Sequence, residues 1–307
     1  MSRTPRSIRA LERLLPERFA GDAGLREVGR APRAALGPTL RVLCWNILKA
    51  RRADFAADFR RLSADRDLVL LQEAVLNAPS DALFTDDSRH RWTMARSFRD
   101  PRTGIEHGVK TGAAAPALEA RGHASTHAEP FVRTPKMLLA TRYALAPARA
   151  AGSEGEGDAG APHGVGGADG ADAPGAPTLL VLNMHAINFV PVAKYLAQLG
   201  QLAGALDAHA GPVLLAGDFN TWSVRRRASF FSVAGEARLA EAAMERGARL
   251  AHLNAHLDHV FYRGLSLLGI ASLGAVASSD HAPIVATFEH RAPPESRARP
   301  EPPTSPP

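Results

Sequence analysis

The sequence predicts an α/β fold built from mixed β-sheets with helices packed against them. Short apolar runs of strand length alternate along the chain with amphipathic helical stretches. Small polar clusters sit at the ends of those runs, where α/β folds place their sites. The 307 residues are 45% apolar and 22% charged, a globular balance that excludes a fibrous or wholly disordered chain.

In chain order, Leu40–Ile47 reads as a strand, followed by a helix around Asp54–Ser63 and the apolar strand Asp67–Leu71. Arg91–Phe98, Gly122–Phe131 and Lys136–Ala144 read as strands separated by turn residues. Thr178–Ile187 is a further strand, Val192–His209 a helix, and Pro212–Ala216 a buried strand. A helix near Arg225–Glu236 precedes strands at Leu257–Arg263, Leu265–Val276 and Pro283–His290.

Three segments depart from this pattern. Residues 1–39 form an Arg-rich extension with scattered Pro and Gly, expected to be partly disordered. Residues 151–177 hold nine Gly and seven Ala, five acids and no Lys or Arg. They have too little apolar surface to offset their ordering entropy and read as a disordered insertion at a hairpin tip. The tail 291–307 contains seven Pro and is likewise expected to be disordered. One domain over 40–290 remains.

The single cysteine, Cys44, excludes an internal disulfide and a Cys-based zinc site. Apolar runs such as Leu68–Leu71 fall far short of the roughly 18 residues that a membrane span needs. The N-terminus has no apolar signal core, so a cytoplasmic monomer without stable membrane insertion is expected. The net charge of +6 fits a phosphate-bearing partner and tilts the expected substrate towards nucleic acid, although no aromatic-interleaved basic stretch accompanies it.

The polar clusters are Asn46 after LRVLCW, Gln72-Glu73 after DLVLL, and His185 within LLVLNMHAINF. The others are Asp218 and Asn220 after GPVLLAG, Asp258-His259 before VFYRG, and Ser279-Asp280-His281 before APIVATF. Carboxylates are hard oxygen ligands suited to Mg²⁺, an amide can hold a phosphate oxygen, and a histidine with a carboxylate partner transfers protons. Taken singly, each has a sufficient structural role: Asn46 capping a strand end, Glu73 in a solvated turn, Asp218 bonding its own turn, His185 as a buried hydrogen-bonded histidine. His259 is expected to be structural because strand neighbours point to opposite faces. Cys44 and Trp45 are expected in the core, and the pair His252 and His256 lacks the acid a helical metal pair would need.

Together the motifs CWN (44–46), LLQEA (70–74), NMHAINF (183–189), GDFNTW (217–222), LDHVFYRG (257–264) and SDHAP (279–283) resemble, in order, those of the endonuclease/exonuclease/phosphatase superfamily. The wordings HAINF, AGDFNTWS and LDHVFYRGL are most similar to its bacterial YafD-like branch, a resemblance that supplies no substrate. It implies a DNase I-like four-layer αββα sandwich with two mixed sheets, and Mg²⁺- or Mn²⁺-dependent hydrolysis of phosphate esters. By the same resemblance Glu73 is the principal metal ligand, Asn46 assists at the metal or the phosphate, and Asp280 supports the metal or the adjacent network. Asp218 orients or deprotonates the attacking water, with His281 the alternative base; Asn220 holds a phosphate oxygen. Asp258 fixes His281, and His185 is the acid for the leaving oxygen.

Arg225 and Arg226 follow GDFNTWSV directly, so they either meet the substrate phosphate or form a solvated first helical turn. The stretch around Lys110-Thr111-Gly112 is blander than the strand expected there. Alternative substrates are a phospholipid or inositol-phosphate head group. The alternative outside enzymes is a catalytically silent phosphate-binding scaffold.

Overall fold

A computed structural model describes residues 15–85, 87–147, 177–244 and 257–290. Residues 151–176 of the insertion, the Pro-rich tail, and His252 with His256 lie outside the described residues.

Two mixed sheets stack face to face. The strands of the first are β1 (Glu17–Arg18), β2 (Leu25–Gly29), β3 (Thr39–Asn46), β4 (Leu68–Leu76), β5 (Arg91–Arg99), β6 (Glu106–Ala113), β13 (Ser266–Ser272) and β14 (Ile284–Glu289), in the order β1-β5-β6-β4-β3-β14-β13 with β2 also on β5. The second holds β7 (Ala117–Ala124), β8 (Met137–Ala144), β9 (Thr178–His185), β10 (Val213–Asp218), β11 (Ala240–Glu241) and β12 (Asp258–Arg263), in the order β11-β12-β10-β9-β8-β7. Each sheet has one parallel pair, β3 with β4 and β9 with β10. The helices α1 (Phe55–Ser63), α2 (Ala78–Thr85), α3 (Val192–Asp207) and α4 (Val224–Glu236) lie outside.

The layering follows from side-chain alternation. Val42 and Cys44 of β3 point into a core shared with Leu70, Val181, Leu214 and Ala216, which lies between the sheets. Their neighbours Leu43 and Trp45 point outward, onto Phe55 and Phe59 of α1 and Phe84 of α2. On the other flank Leu182 and Leu215 pack against Tyr195, Leu199 and Leu202 of α3 and Phe230 of α4. Strands buried on both faces read as continuous apolar runs, and each such Leu, Val or Phe contributes roughly 1.5–3 kcal/mol. Ser223 caps α4, accepting a hydrogen bond from Arg226 N.

Several elements differ from the sequence reading. The strand expected over Gly122–Phe131 is displaced to Ala117–Ala124. Beyond it, the Ser125 hydroxyl accepts from Lys136 N and donates to His127 O, and Glu129 and Arg133 close a turn that carries Phe131 into solvent. Sheet pairing also reaches back into the Arg-rich extension, since Leu25–Gly29 runs antiparallel to Arg91–Ala95. The bland stretch around Lys110 is β6, in the middle of the first sheet. A Cβ at Gly112 would lie 2.6 Å from the Trp92 ring, and one at Gly108 2.0 Å from Ala95 O, so close packing requires the glycines that hide the strand pattern.

Candidate active site

Strand register assembles the second sheet's share of the site. Asp218, at the end of β10, pairs with His185 on parallel β9 and with Asp258 on antiparallel β12. Residues opposite one another across adjacent strands project to the same face, so three strand ends form one row. Gly217 makes the row possible: its φ is +151° and a Cβ would lie 1.9 Å from Met184 O. His281 arrives from the loop before β14 and places Nδ1 2.6 Å from Asp258 Oδ2 and Nε2 3.9 Å from Asp218 Oδ2. His185 Nε2 lies 3.5 Å from the same Asp218 oxygen.

The first sheet supplies Asn46 and Glu73. Asn46 Nδ2 donates to Asp218 Oδ2 (3.1 Å), linking the two sheets across the site. Its Oδ1 accepts from Leu48 N, opening a turn in which Leu48, Lys49 and Ala50 all have positive φ. That turn brings Lys49 Nζ to 3.6 Å from Glu73 Oε2. Glu73 itself sits at a register shift between Leu71 and Ala74, with φ +50°, so a β-bulge re-aims its carboxylate. Directly beneath, Gln72 Nε2 donates to Asn183 Oδ1 (2.7 Å), and Asn183 Nδ2 donates to Lys110 O (3.0 Å). Every amide in this inter-sheet link has a partner, which is what makes such burial tolerable.

The loop carrying His281 is fastened to β3. Ser279 Oγ donates to Asn46 O (2.6 Å) and accepts from His281 N, while Trp45 Nε1 donates to His281 O (3.0 Å). Asn220 has φ +49°; its N–H donates to Asp218 Oδ1 and its side-chain amide to Ala186 O.

These groups border one cleft of about 410 Å³, which Asn46, Glu73, His185, Asp218, Asn220, Asp280 and His281 all line. Asp258 stands behind His281, and exposed Asp280 is at the rim. Lys49, His107 and Lys136 line the cleft as well and went unnoticed in the sequence. Nothing in the local pattern marks Lys49 before the turn after Asn46 is known.

The electrostatics separate the groups. Burial alone would lower the affinity of His281 for its proton, but the Asp258 hydrogen bond and the charges of Asp258, Asp218 and Asp280 push its pKa up to about 9. Burial and the nearby cations Lys136, His281 and Lys49 hold His185 well below the ordinary histidine range. Burial and the neighbouring Asp258 raise Asp218, outweighing the pull of His281.

The donor set fits a hard divalent cation. Glu73 Oε2 is buried without a hydrogen bond, faced by Lys49 Nζ at 3.6 Å, and borders the same cleft as Asn46, a site where a divalent cation could take the place of the ammonium. Among the described residues, Asp218, Asp258 and His281 also offer ligand atoms within 4.8 Å of one another. Within that trio the His281 ring is engaged by Asp258, Nδ1 lying 2.6 Å from Oδ2.

Of the two arginines read as either meeting the substrate phosphate or forming a solvated first helical turn, Arg226 does neither. Arg226 is buried; its Nε donates to Asn220 O (2.9 Å), Nη2 donates to Ile187 O, and the guanidinium lies 4.0 Å over the Tyr195 ring. It braces the loops behind the cleft, while Arg225 is exposed and not among the described lining residues. The burial of the helix's first turn, hidden in the run of three arginines, decides this. His259 is structural as expected, held between Thr221 Oγ1 (2.9 Å) and Glu241 Oε1 (3.0 Å).

Comparison with known proteins gives the site a lineage. The family model described as "Endonuclease/Exonuclease/phosphatase family" matches residues 43–281. The UPF0294 protein VP2298 of Vibrio parahaemolyticus is 32% identical over 255 residues, covering 81% of this chain and 77% of its own. A UPF0294 protein of Klebsiella pneumoniae is 32% identical over 279 residues, covering 90% and 92% respectively. Among solved structures, an endonuclease/exonuclease/phosphatase from Beutenbergia cavernae superposes with a TM-score of 0.57 at 19% identity, covering 82% of this chain and 72% of that one. The human Nocturnin catalytic domain, with bound sulfate, superposes with a TM-score of 0.52 at 15% identity, covering 85% and 99%. The YafD-like resemblance and the DNase I-like fold are thereby established, and the chain belongs to the endonuclease/exonuclease/phosphatase family.

Proposed function

We propose that the protein is a divalent-cation-dependent phosphodiesterase in which water attacks phosphorus and the P–O bond to the leaving oxygen breaks. The observation that carries the reading is the cleft itself. Glu73, a half-buried carboxylate whose Oε2 makes no hydrogen bond and faces the Lys49 ammonium, sits on one sheet, and a carboxylate flanked by two histidines of opposite protonation, Asp218, sits on the other. Titratable neighbours whose proton affinities are driven apart mark acid–base assignments.

Glu73 and Asn46 would hold Mg²⁺ or Mn²⁺, with Asp280 at the rim. Such an ion, when bound, neutralises phosphoryl charge and polarises the phosphorus centre. Asp218, fixed by Asn46 and by the Asn220 N–H, orients the water and accepts its proton. His281, charged and anchored by Asp258, faces the phosphoryl oxygens, and Asn220 and Lys49 add donors beside them. His185 is neutral in the free cleft, so its role as acid for the leaving oxygen depends on the anionic substrate raising its proton affinity on binding.

For the substrate, the net charge of +6 favours nucleic acid, and one superposable structure is an AP endonuclease from Leishmania major, at 13% identity and a TM-score of 0.50. Against that class, many surface arginines are spent on ion pairs away from the cleft, as in Arg91–Glu27, Arg99–Glu17 and Arg121–Asp22. A phospholipid head-group diester is the second reading, favoured by the exposed apolar side chains Phe131, Val132 and Phe189 at the cleft. Hydrolysis of bis(p-nitrophenyl) phosphate tests the chemistry apart from the substrate. His281→Ala should lower kcat far more than it raises KM, and a pure KM effect would remove His281 from the transition state.

A further inference from the structure

Large apolar side chains gather around the mouth of the cleft. Phe131 is 85% exposed, Val224 86% and Trp222 58%, with Val132 and Phe189 also exposed beside them. The rings of Phe131 and Phe189 meet edge to face at 6.3 Å, and Val132 and Phe189 line the cleft. Trp222 Nε1 donates to Asn188 Oδ1 (2.8 Å), and Val224 begins α4 two residues later.

These tips are held in place. Asn188 N donates to Glu129 Oε1 (2.9 Å), joining the Phe189 loop to the β7–β8 hairpin. Arg226 ties Ile187 O to Asn220 O behind them. Phe189 is kept at φ +54°, a conformation costly for a bulky residue. Apolar residues fixed in water at a strained position call for a partner that removes them from it.

We infer that this ridge is an interfacial docking surface for an anionic lipid bilayer. In both protruding segments the apolar pair is followed at once by an exposed arginine: Phe131-Val132-Arg133 and Trp222-Ser223-Val224-Arg225. Apolar tips entering the boundary between head groups and acyl chains, with guanidinium groups level with the lipid phosphates, match that layered chemistry. The three rings could also stack on bases, but Val132 and Val224 add aliphatic surface that stacking does not use, and this favours a bilayer over nucleic acid as the occupant. The docking stands on the ridge alone. Its consequence, that the cleft receives a lipid's head-group diester, rests on the phosphodiesterase reading.

Fluorescence reads this out directly. Of the three tryptophans, Trp45 and Trp92 are buried, so a change in emission on docking reports Trp222. The full-length protein in EDTA is mixed with vesicles of phosphatidylcholine containing roughly one-third phosphatidylglycerol. A blue shift and co-sedimentation that weaken with added salt are expected. Phe131→Ser combined with Val224→Ser should cut partitioning about tenfold or more. Its thermal unfolding and its turnover of bis(p-nitrophenyl) phosphate should be unchanged. The inference is overturned by the absence of a shift, by equal sedimentation of the variant, or by a response to a single-stranded oligonucleotide but not to vesicles. Vesicle binding without turnover of the soluble diester would leave the docking intact and strike only the hydrolase reading.

Discussion

Asp218 lies directly opposite Asp258 across the β10–β12 pair, two buried carboxylates brought side by side by strand register. Adjacent carboxylates resist ionising together, so one of them takes up a proton more readily unless positive charge compensates. The compensation comes from His281, 2.6 Å from Asp258 and 3.9 Å from Asp218. The bond to Asp258 keeps the ring charged and aimed, leaving Asp218 as the member whose proton affinity is raised.

Asp258→Asn keeps the shape and removes the charge that holds His281 protonated. The expected outcome is a fall in kcat on the order of 10²–10⁴-fold with little change in KM and with the near-UV circular dichroism retained. An unchanged kcat would show that the pair has no part in catalysis.

Arg226 separates bracing from substrate contact. Arg226→Lys cannot reproduce the fork that joins Asn220 O and Ile187 O, and a buried carbonyl left unpaired costs about 1–3 kcal/mol. The melting temperature should therefore drop by several degrees while KM for a small diester stays close to wild type. A raised KM with unchanged stability would return Arg226 to the phosphate.

Lys110 gives stability a pH signature. Its ammonium is buried with no hydrogen-bond partner, 3.6 Å over the Phe84 ring, and burial lowers its pKa to about 7 from the usual 10.5. Between those values the unfolded chain holds a proton that the folded chain has lost, so stability contributed by this group rises with pH. The slope is at most about 1.4 kcal/mol per pH unit. Over the same window His281, its pKa raised to about 9, contributes in the opposite sense, so the Lys110 effect is read as a difference. In denaturant titrations Lys110→Met should be more stable than wild type at pH 7, with the gap narrowing by pH 9. A variant with the same slope as wild type would place the effect elsewhere.

Gly217→Ala forces a Cβ to within 1.9 Å of Met184 O at φ +151°. A loss on the order of 3 kcal/mol is expected, from crowding and backbone conformation together. Because Gly217 precedes Asp218, activity should fall even where the protein remains folded. Wild-type stability in chemical denaturation would contradict the packing described for β9 and β10.

The legible parts of this fold are those where burial writes a pattern. Val42–Trp45, Leu68–Leu71 and Leu179–Leu182 are apolar on both faces, and their polar ends, Asn46, Glu73 and His185, all line the cleft. What stayed illegible was set by contacts between distant segments. β6 reads as loop because Gly108 and Gly112 yield their space to β5 and Trp92. The aim of Glu73 depends on a bulge that no local spacing announces. Phe131 reads as a strand residue, yet the turn closed by Glu129 and Arg133 turns it into the tip of an exposed ridge.

The most direct measurement is the release of p-nitrophenol from bis(p-nitrophenyl) phosphate by wild type and Glu73→Gln, each in EDTA, Mg²⁺ and Mn²⁺. Glu73 carries the buried oxygen without a hydrogen bond on which the cation reading rests. The expected result is turnover by wild type that requires the metal and is lost in the variant, with both proteins folded. Equal turnover by the two, or turnover undiminished by EDTA, would contradict a metal-assisted phosphodiesterase centred on Glu73.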